Sequence, residues 1–253
     1  MIRLSVNLNK IATVRNARGG DNPSVVQAGR VAVEAGCHGL TVHPRPDGRH
    51  IRRRDVFDVA ALLRESAYAG RDLEFNIEGY PSAEYLELVL EIRPAQATLV
   101  PDPPEALTSN AGWNLLAMDG ARQAWLRSVI RRLQSAGIRV SLFLEPVIAQ
   151  VRRAAEIGAD RIELYTEAYA KAYATPDREA VYEPYRRAAL EARQAGLGLN
   201  AGHDLDLRNL GFFAAETPGL LEVSIGHALI CDALYMGLAS AVRAYLKALE
   251  RAG

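Results

Sequence analysis

Imidazoles and carboxyls recur at one kind of place in this chain: the ends of short β-rich runs and the turns that follow them. His43 ends GLTVH, His203 ends LGLNAGH, and His227 ends LEVSIGH, while His50 follows His43 by seven residues with Arg45 between them. Two further carboxyls, Glu74 and Glu163, sit inside the apolar runs DLEFNI and RIELYT. An unpaired carboxylate is costly to bury. Burial instead raises its pKa towards neutrality, which suits it to moving protons. The alternative is that both are ion-paired with Arg or Lys. Asn7, Asn9 and Lys10 close the first β-rich run, and Arg18 lies in the Gly-containing turn RNARGG. Guanidinium forks match phosphate oxygens. The Gly226–His227 pair precedes a helical stretch, whose open amino end favours an anion. Glu78 and Glu145 read as rim salt bridges, Cys37 and Cys231 as small core residues, and Trp113 and Trp125 as packing groups. The inventory therefore points to proton transfer beside a phosphate-binding site.

Such residues meet only if the fold brings strand ends together. Strands are expected at 3–8, 39–43, 72–77, 96–101, 139–145, 161–166, 197–203 and 221–227. Several open just after a glycine that would cap the preceding helix: EAGCHG, SAGIR, EIGADR and QAGLG. The stretches between them carry helical periodicity, as in NPSVVQAGRVAVEAG. Strand starts recur about every 30 residues, the size of one βα unit. Eight such repeats imply a closed (β/α)8 TIM barrel over residues 1–253, with its reacting groups at the carboxyl ends of the strands. An open doubly wound sheet would carry a Gly-rich fingerprint after its first strand, and NLNKIA is not one. Residues 101–120 form the longest irregular stretch and are expected to be a functional loop.

Composition narrows the partners. The 253 residues hold 30 basic and 30 acidic side chains, a balance that argues against a nucleic-acid surface. No run approaches the roughly 20 apolar residues of a membrane span, and the amino terminus lacks the apolar core of a secretion signal. Two cysteines without a CxxC spacing exclude a disulfide framework and favour the cytoplasm.

At these same residues the chain resembles the pyridoxine 5'-phosphate synthase family. The matching segments are NLNKIATVRNARG, GLTVHPRPDGRHIRRRDV, LEFNI, ATLVPDPPEALTSNAGW, VSLFLE, IELYTEAYA, LGLNAGHDL and VSIGHALI, in order along nearly the whole sequence. The resemblance implies a TIM barrel with extra helices, assembled as a homo-oligomer, commonly an octamer. It also implies the joining of 3-amino-2-oxopropyl phosphate to 1-deoxy-D-xylulose 5-phosphate without a metal or redox cofactor. Carried over by motif, His43 and Glu74 resemble the general bases, His203 the general acid, and Glu163 the carboxylate that stabilises the transition state. Asn7 and Arg18, with Asp204 in the loop after His203 and the Gly226–His227 pair, resemble the aminoketone phosphate site. Asn9, Lys10, Arg45, His50 and Thr108 resemble the pentulose phosphate site. Two positions depart from the family pattern: many members read Asp-His at Asn9-Lys10, and Gly at Asp204. Two competing readings are a metal-dependent barrel aldolase or isomerase with His43, His203, His227 and a glutamate as ligands, and a non-catalytic phosphosugar-binding barrel.

Overall fold

The computed structural model, described for residues 1–102 and 111–250, is a closed barrel of eight parallel strands in sequential order. The strands are β1 (Arg3–Asn7), β2 (Gly39–Val42), β3 (Glu74–Gly79), β4 (Gln96–Leu99), β5 (Arg139–Leu144), β6 (Arg161–Leu164), β7 (Gly198–Gly202) and β8 (Leu220–Ile225). All eight expected strands are present. Among the described residues the helices are α1 (Asn9–Asn16), α2 (Val25–Glu34), α3 (Arg53–Leu63), α4 (Ala83–Ile92), α5 (Gly120–Ser135) and α6 (Ile148–Ile157). They continue with α7 (Glu167–Ala172), α8 (Arg178–Gln194), α9 (Leu210–Glu216), α10 (His227–Met236) and α11 (Leu238–Glu250). Three of them, α1, α7 and α10, are additions to the repeat: each directly follows the carboxyl end of a strand and precedes the helix that returns the chain.

Local sequence explains the alternation. Ser24, Ser82 and Asp119 cap α2, α4 and α5 by accepting hydrogen bonds from Gln27, Tyr85 and Arg122 backbone N–H groups at 3.2, 3.2 and 2.7 Å. The glycines read as helix stops, Gly36, Gly137, Gly158 and Gly196, all have positive φ, the left-handed turn that glycine adopts without steric cost. Leu4, Val6, Leu40, Val42, Ile77 and Leu99 are fully buried, on the strand faces that alternate with the barrel interior. Each contributes about 1.5–3 kcal/mol by leaving water.

The barrel interior is polar where many barrels are aliphatic. Ser5 and Thr41 hydroxyls share a 2.7 Å hydrogen bond, Thr98 donates to Asn76 Oδ1 at 3.0 Å, and Gln96 Nε2 donates to Thr98 at 3.3 Å. Beneath them, at the amino ends of the strands, lies a charged cluster. Arg139 pairs with Glu74 and donates to Gln96 Oε1 at 3.0 Å; Arg3 lies 3.5 Å from Glu74, and Arg161 lies 3.7 Å from Glu222.

Candidate active site

Register sets the depth of each inward side chain. Gly39 of β2 pairs with Glu74 of β3, and Val42 pairs with Ile77. His43, one residue past Val42, is therefore level with Glu78, while Glu74 is level with the start of β2. Side chains at Glu74, Asn76 and Glu78 share the inward face, yet only the last reaches the mouth. There a cavity of about 460 Å³ opens, within the range of small-molecule sites.

On one side of this cavity the β1 end is tied to the β2 end. Asn7 Oδ1 accepts from the Asn9 N–H at 3.0 Å, and Asn9 Oδ1 accepts from the His43 N–H at 2.9 Å. The Asn7 amide also donates to Glu78 Oε2 at 3.2 Å, and His43 Nδ1 lies 4.0 Å from the same oxygen. The His50 ring meets the His43 ring edge-on at 5.9 Å, and its Nδ1 accepts from the Ile51 N–H at 2.9 Å. That bond places the neutral-ring proton on Nε2. Arg45 is buried against Asp102 at 3.1 Å.

Across the cavity, His203 follows β7 in a left-handed conformation with φ of 63°. A non-glycine residue there costs about 1 kcal/mol, a strain that marks sites where orientation matters. Its Nδ1 is 2.6 Å from Asp204 Oδ2, and its ring stands edge-on to Tyr165 at 5.0 Å. Glu163 projects from β6 with one carboxylate oxygen buried and unpartnered among the described residues. Gly202 makes room for it: a Cβ at this position would lie 2.9 Å from Glu163 Oε1 and 2.4 Å from the Ser224 carbonyl oxygen. Gly226 caps α10 without any side-chain hydrogen bond, so the amino end of that helix opens beside His227.

Two of the four cavity histidines are pushed in opposite directions. Burial, reinforced by Arg45, His50 and Arg49, pushes His43 well below the ordinary imidazole range. Burial also pulls His203 down, but Asp204, Glu78 and Glu167 together outweigh it and leave its pKa raised. His50 falls to about 4 through burial and the cations Arg45, Lys10 and Arg49. Glu163 is raised well above the usual carboxyl range by burial, Glu78 and Glu222. The mouth therefore sets an imidazole that resists protonation against one that favours it, beside a carboxyl that resists ionisation.

Of the residues singled out in the sequence, Asn7, Asn9, Lys10, His43, Arg45 and His50 line this one cavity from the β1 and β2 side. Glu163, His203, Asp204, Gly226 and His227 line it from the other. Glu74 does not join them: it lies at the amino end of the barrel in the pairs with Arg139 and Arg3. The reason is that β3 runs to Gly79, two residues beyond the expected end, so Glu74 opens the strand. Arg18 is also elsewhere, exposed in the turn past α1. The arginine that α1 turns inward is Arg15, bound to Asp55 at 2.5 Å and to the His50 carbonyl at 3.0 Å. Thr108 and much of the 101–120 loop lie outside the described residues. Beyond them, buried Trp113 anchors the chain to the mouth, its indole donating to the Leu99 carbonyl at 2.8 Å. Glu78 is a cavity group that the sequence reading took for a rim salt bridge, and Phe143 and Tyr165 form its apolar wall. Glu145 accepts from the Gly112 N–H at 3.4 Å. Among the described residues, no three His, Cys, Asp or Glu side chains are grouped to hold a metal ion, so the His43–His203–His227 ligand set is not an arrangement found there.

Residues 4–251 match the family model described as pyridoxal phosphate biosynthesis protein PdxJ. The chain belongs to the PdxJ family. It is 52% identical over 250 residues to the pyridoxine 5'-phosphate synthase of Bacteroides thetaiotaomicron, covering 99% of this chain and 100% of that one. It is 50% identical over 251 residues to the enzyme of the same name from Cytophaga hutchinsonii, with the same coverage. Among solved structures, phosphoribosylanthranilate isomerase of Thermotoga maritima superposes with a TM-score of 0.60 at 13% identity, covering 99% of each chain. KGPDC of Streptococcus mutans gives 0.62 at 11% identity, covering 99% of this chain and 98% of that one. These two likenesses place the PdxJ chain among (β/α)8 barrels and speak to fold alone. No described helix of this PdxJ chain is long and apolar enough to cross a membrane.

Proposed function

We propose that this chain is a pyridoxine 5'-phosphate synthase that joins 3-amino-2-oxopropyl phosphate to 1-deoxy-D-xylulose 5-phosphate, closes the pyridine ring and releases phosphate and water. The observation that carries the chemistry is the pair His43 and His203 lining one cavity, their proton affinities pushed in opposite directions by their surroundings, in a member of the PdxJ family. The reaction calls for many proton transfers rather than one strong nucleophile. The substrate amine attacks the pentulose ketone and must lose a proton, for which neutral His43 is the acceptor. The resulting hydroxyl departs as water and the phosphate group of the pentulose is later eliminated as inorganic phosphate; His203, whose proton Asp204 helps to hold, donates to the leaving oxygens. Glu163, neutral and buried, offers a hydrogen bond to oxygen as negative charge gathers on it. Each positioned acid or base of this kind is worth about 10²–10⁴-fold.

Two anions need two holders. The open amino end of α10 at Gly226–His227 and the Asp204 loop suit one phosphate, and Lys10, Arg45 and His50 suit the other. Asn9 holds the His43 backbone as well as lining the second site. Asp204 contributes its side chain to His203. Thr108 remains assigned to the pentulose phosphate by resemblance. Assembly with further copies of the chain is part of the proposal: Leu234, Tyr235 and Met236 leave an apolar group exposed at the end of α10. The free thiols Cys37 and Cys231 fit a reducing cytoplasm.

The test supplies both phosphorylated substrates and follows appearance of the pyridine ring by absorbance. Turnover is expected in the wild type and a loss of at least about 100-fold in His43→Ala and His203→Ala with the fold retained. Near-normal turnover in both variants would overturn the assignment.

A further inference from the structure

We propose that Val100, Phe143 and Tyr165 seat the methyl group of the pentulose, and that this apolar wall selects the 1-deoxy sugar over its 1-hydroxy counterpart, D-xylulose 5-phosphate. The inference rests on the synthase reading and names the side chains that recognise one of its two substrates. A contrast in lining carries it. Among the described residues, the other side chains around the cavity are polar or charged, whereas these three form an apolar cluster of their own, separate from the barrel core. Register gathers them on one side. Phe143 of β5 pairs with Glu163 of β6, and Thr98 of β4 pairs with Ser141 of β5. Val100, two residues past Thr98, is therefore level with Phe143 on the inward face, and Tyr165 stands one layer above Glu163. Main-chain bonds fix all three. The Val100 N–H donates to the Gly79 carbonyl at 3.1 Å, the Phe143 carbonyl accepts from the Trp113 N–H at 2.8 Å, and the Tyr165 N–H donates to the Leu144 carbonyl at 2.9 Å. The two rings meet at 5.3 Å, and the Tyr165 hydroxyl is hydrogen-bonded to Glu167.

Both phosphate placements direct the methyl to this wall. In the closed ring of eight strands, β5 and β6 stand across from β1 and β2. A pentulose whose phosphate rests on Lys10, Arg45 and His50 reaches across the mouth, and the methyl is the end of its chain farthest from that phosphate. By the same ring order β4 stands across from β8, whose end carries Gly226 and His227 for the aminoketone phosphate. In the pyridine product the methyl is para to the arm that bears this second phosphate, so it again faces Val100 and Phe143. The ketone carbon next to the methyl then lies beside His203, whose ring is 6.4 Å from Phe143 and 5.0 Å from Tyr165. That carbon is the one the amine attacks and the hydroxyl leaves. The wall thus aims the reacting carbon as well as choosing the sugar. A hydroxyl added to the methyl would give up its water to face a valine and two aromatic rings, an uncompensated loss.

The experiment measures kcat/KM and equilibrium binding of 1-deoxy-D-xylulose 5-phosphate and D-xylulose 5-phosphate on the full chain, in the wild type and in Val100→Thr, which sets a hydroxyl into the wall at nearly constant shape. The wild type should prefer the 1-deoxy sugar by about 100-fold, the scale on which an apolar pocket rejects an added hydroxyl. In Val100→Thr that preference should fall about 10-fold while KM for 3-amino-2-oxopropyl phosphate changes less than about 3-fold. A second readout needs no variant. With methyl-carbon-labelled 1-deoxy-D-xylulose 5-phosphate bound to the wild type, the methyl should show nuclear Overhauser contacts to the ring protons of Phe143 and Tyr165. Equal use of the two sugars by the wild type, a preference untouched by Val100→Thr, or methyl contacts confined to the His50 side would each overturn the inference. Pyridine product formed alongside any of those results leaves the synthase reading standing. Methyl preference and ring contacts found in binding, without any pyridine product, would strike that reading and leave the methyl seat in place.

Discussion

Replacing Asp204 with Asn should move the alkaline limb of the pH–rate profile downward. Asp204 Oδ2 sits 2.6 Å from His203 Nδ1, and its hydrogen bond, followed by its charge, leads the influences that raise this imidazole against the pull of burial. Two unit charges about 4 Å apart interact by about 4 kcal/mol at an effective dielectric of 20 and about 1 kcal/mol in water. Both side chains are about one-third exposed, 31% and 36%, so the interaction belongs near the lower end, about 1–2 kcal/mol. At 1.36 kcal/mol per pKa unit this is a fall of about one unit. The sign follows directly. A general acid must be protonated, so lowering its pKa removes the active form at lower pH. Activity in Asp204→Asn should match wild type on the acid side of the profile and fall about tenfold once pH exceeds the wild-type His203 pKa by a unit. The assay is kcat against pH with both phosphorylated substrates saturating, alongside the His203 ring-proton NMR titration. An unchanged or upward-shifted alkaline limb, with the imidazole itself titrating lower, would show that His203 is not the proton donor.

Gly202→Ala should cost about 1–3 kcal/mol in denaturant unfolding and lower kcat, because the added methyl meets the Ser224 carbonyl and the Glu163 carboxyl. Arg15→Met should destabilise by about 3–5 kcal/mol in the same measurement, since it strands buried Asp55 and removes one of two donors to the His50 carbonyl. Glu222→Gln should flatten the dependence of melting temperature on pH. Burial, with Glu74 adding to it, raises the Glu222 carboxyl from 4.5 to about 7, so ionisation favours the unfolded chain and wild-type stability falls as pH rises through that window. A wild-type melting temperature that climbs between those pH values more steeply than the variant's would contradict this account.

Fold was legible in the sequence because β-rich runs recur eight times and a helix-ending glycine directly precedes several of them. Apolar β-rich runs follow glycines such as Gly36 and Gly158 that can only end helices cheaply, and those glycines do adopt positive φ. Parity within a strand was equally legible: Glu74, Asn76 and Glu78 do share one face. Depth was not. How far along the axis a side chain sits depends on where hydrogen bonding to the neighbours stops, and for β3 that is set by the pairing of Glu78 with Thr98 and Gly79 with Leu99. No residue inside DLEFNI announces it. Arg18 illustrates the same limit in a helix. The phase of α1 turns Arg15 towards the His50 loop, and three residues later the chain has left the helix. The pairing of His203 with Asp204 was likewise hidden, because a backbone in the left-handed region is what lets adjacent side chains meet.

A barrel axis built from Ser5, Thr41, Asn76, Thr98 and Gln96 has a consequence for how charge is handled above it. Each hydroxyl or amide is already turned towards a neighbour, so the dipoles beneath the reacting atoms are set before any substrate arrives. Solvent would have to reorient at every proton transfer; this floor does not, and that saving recurs at each step of a long reaction.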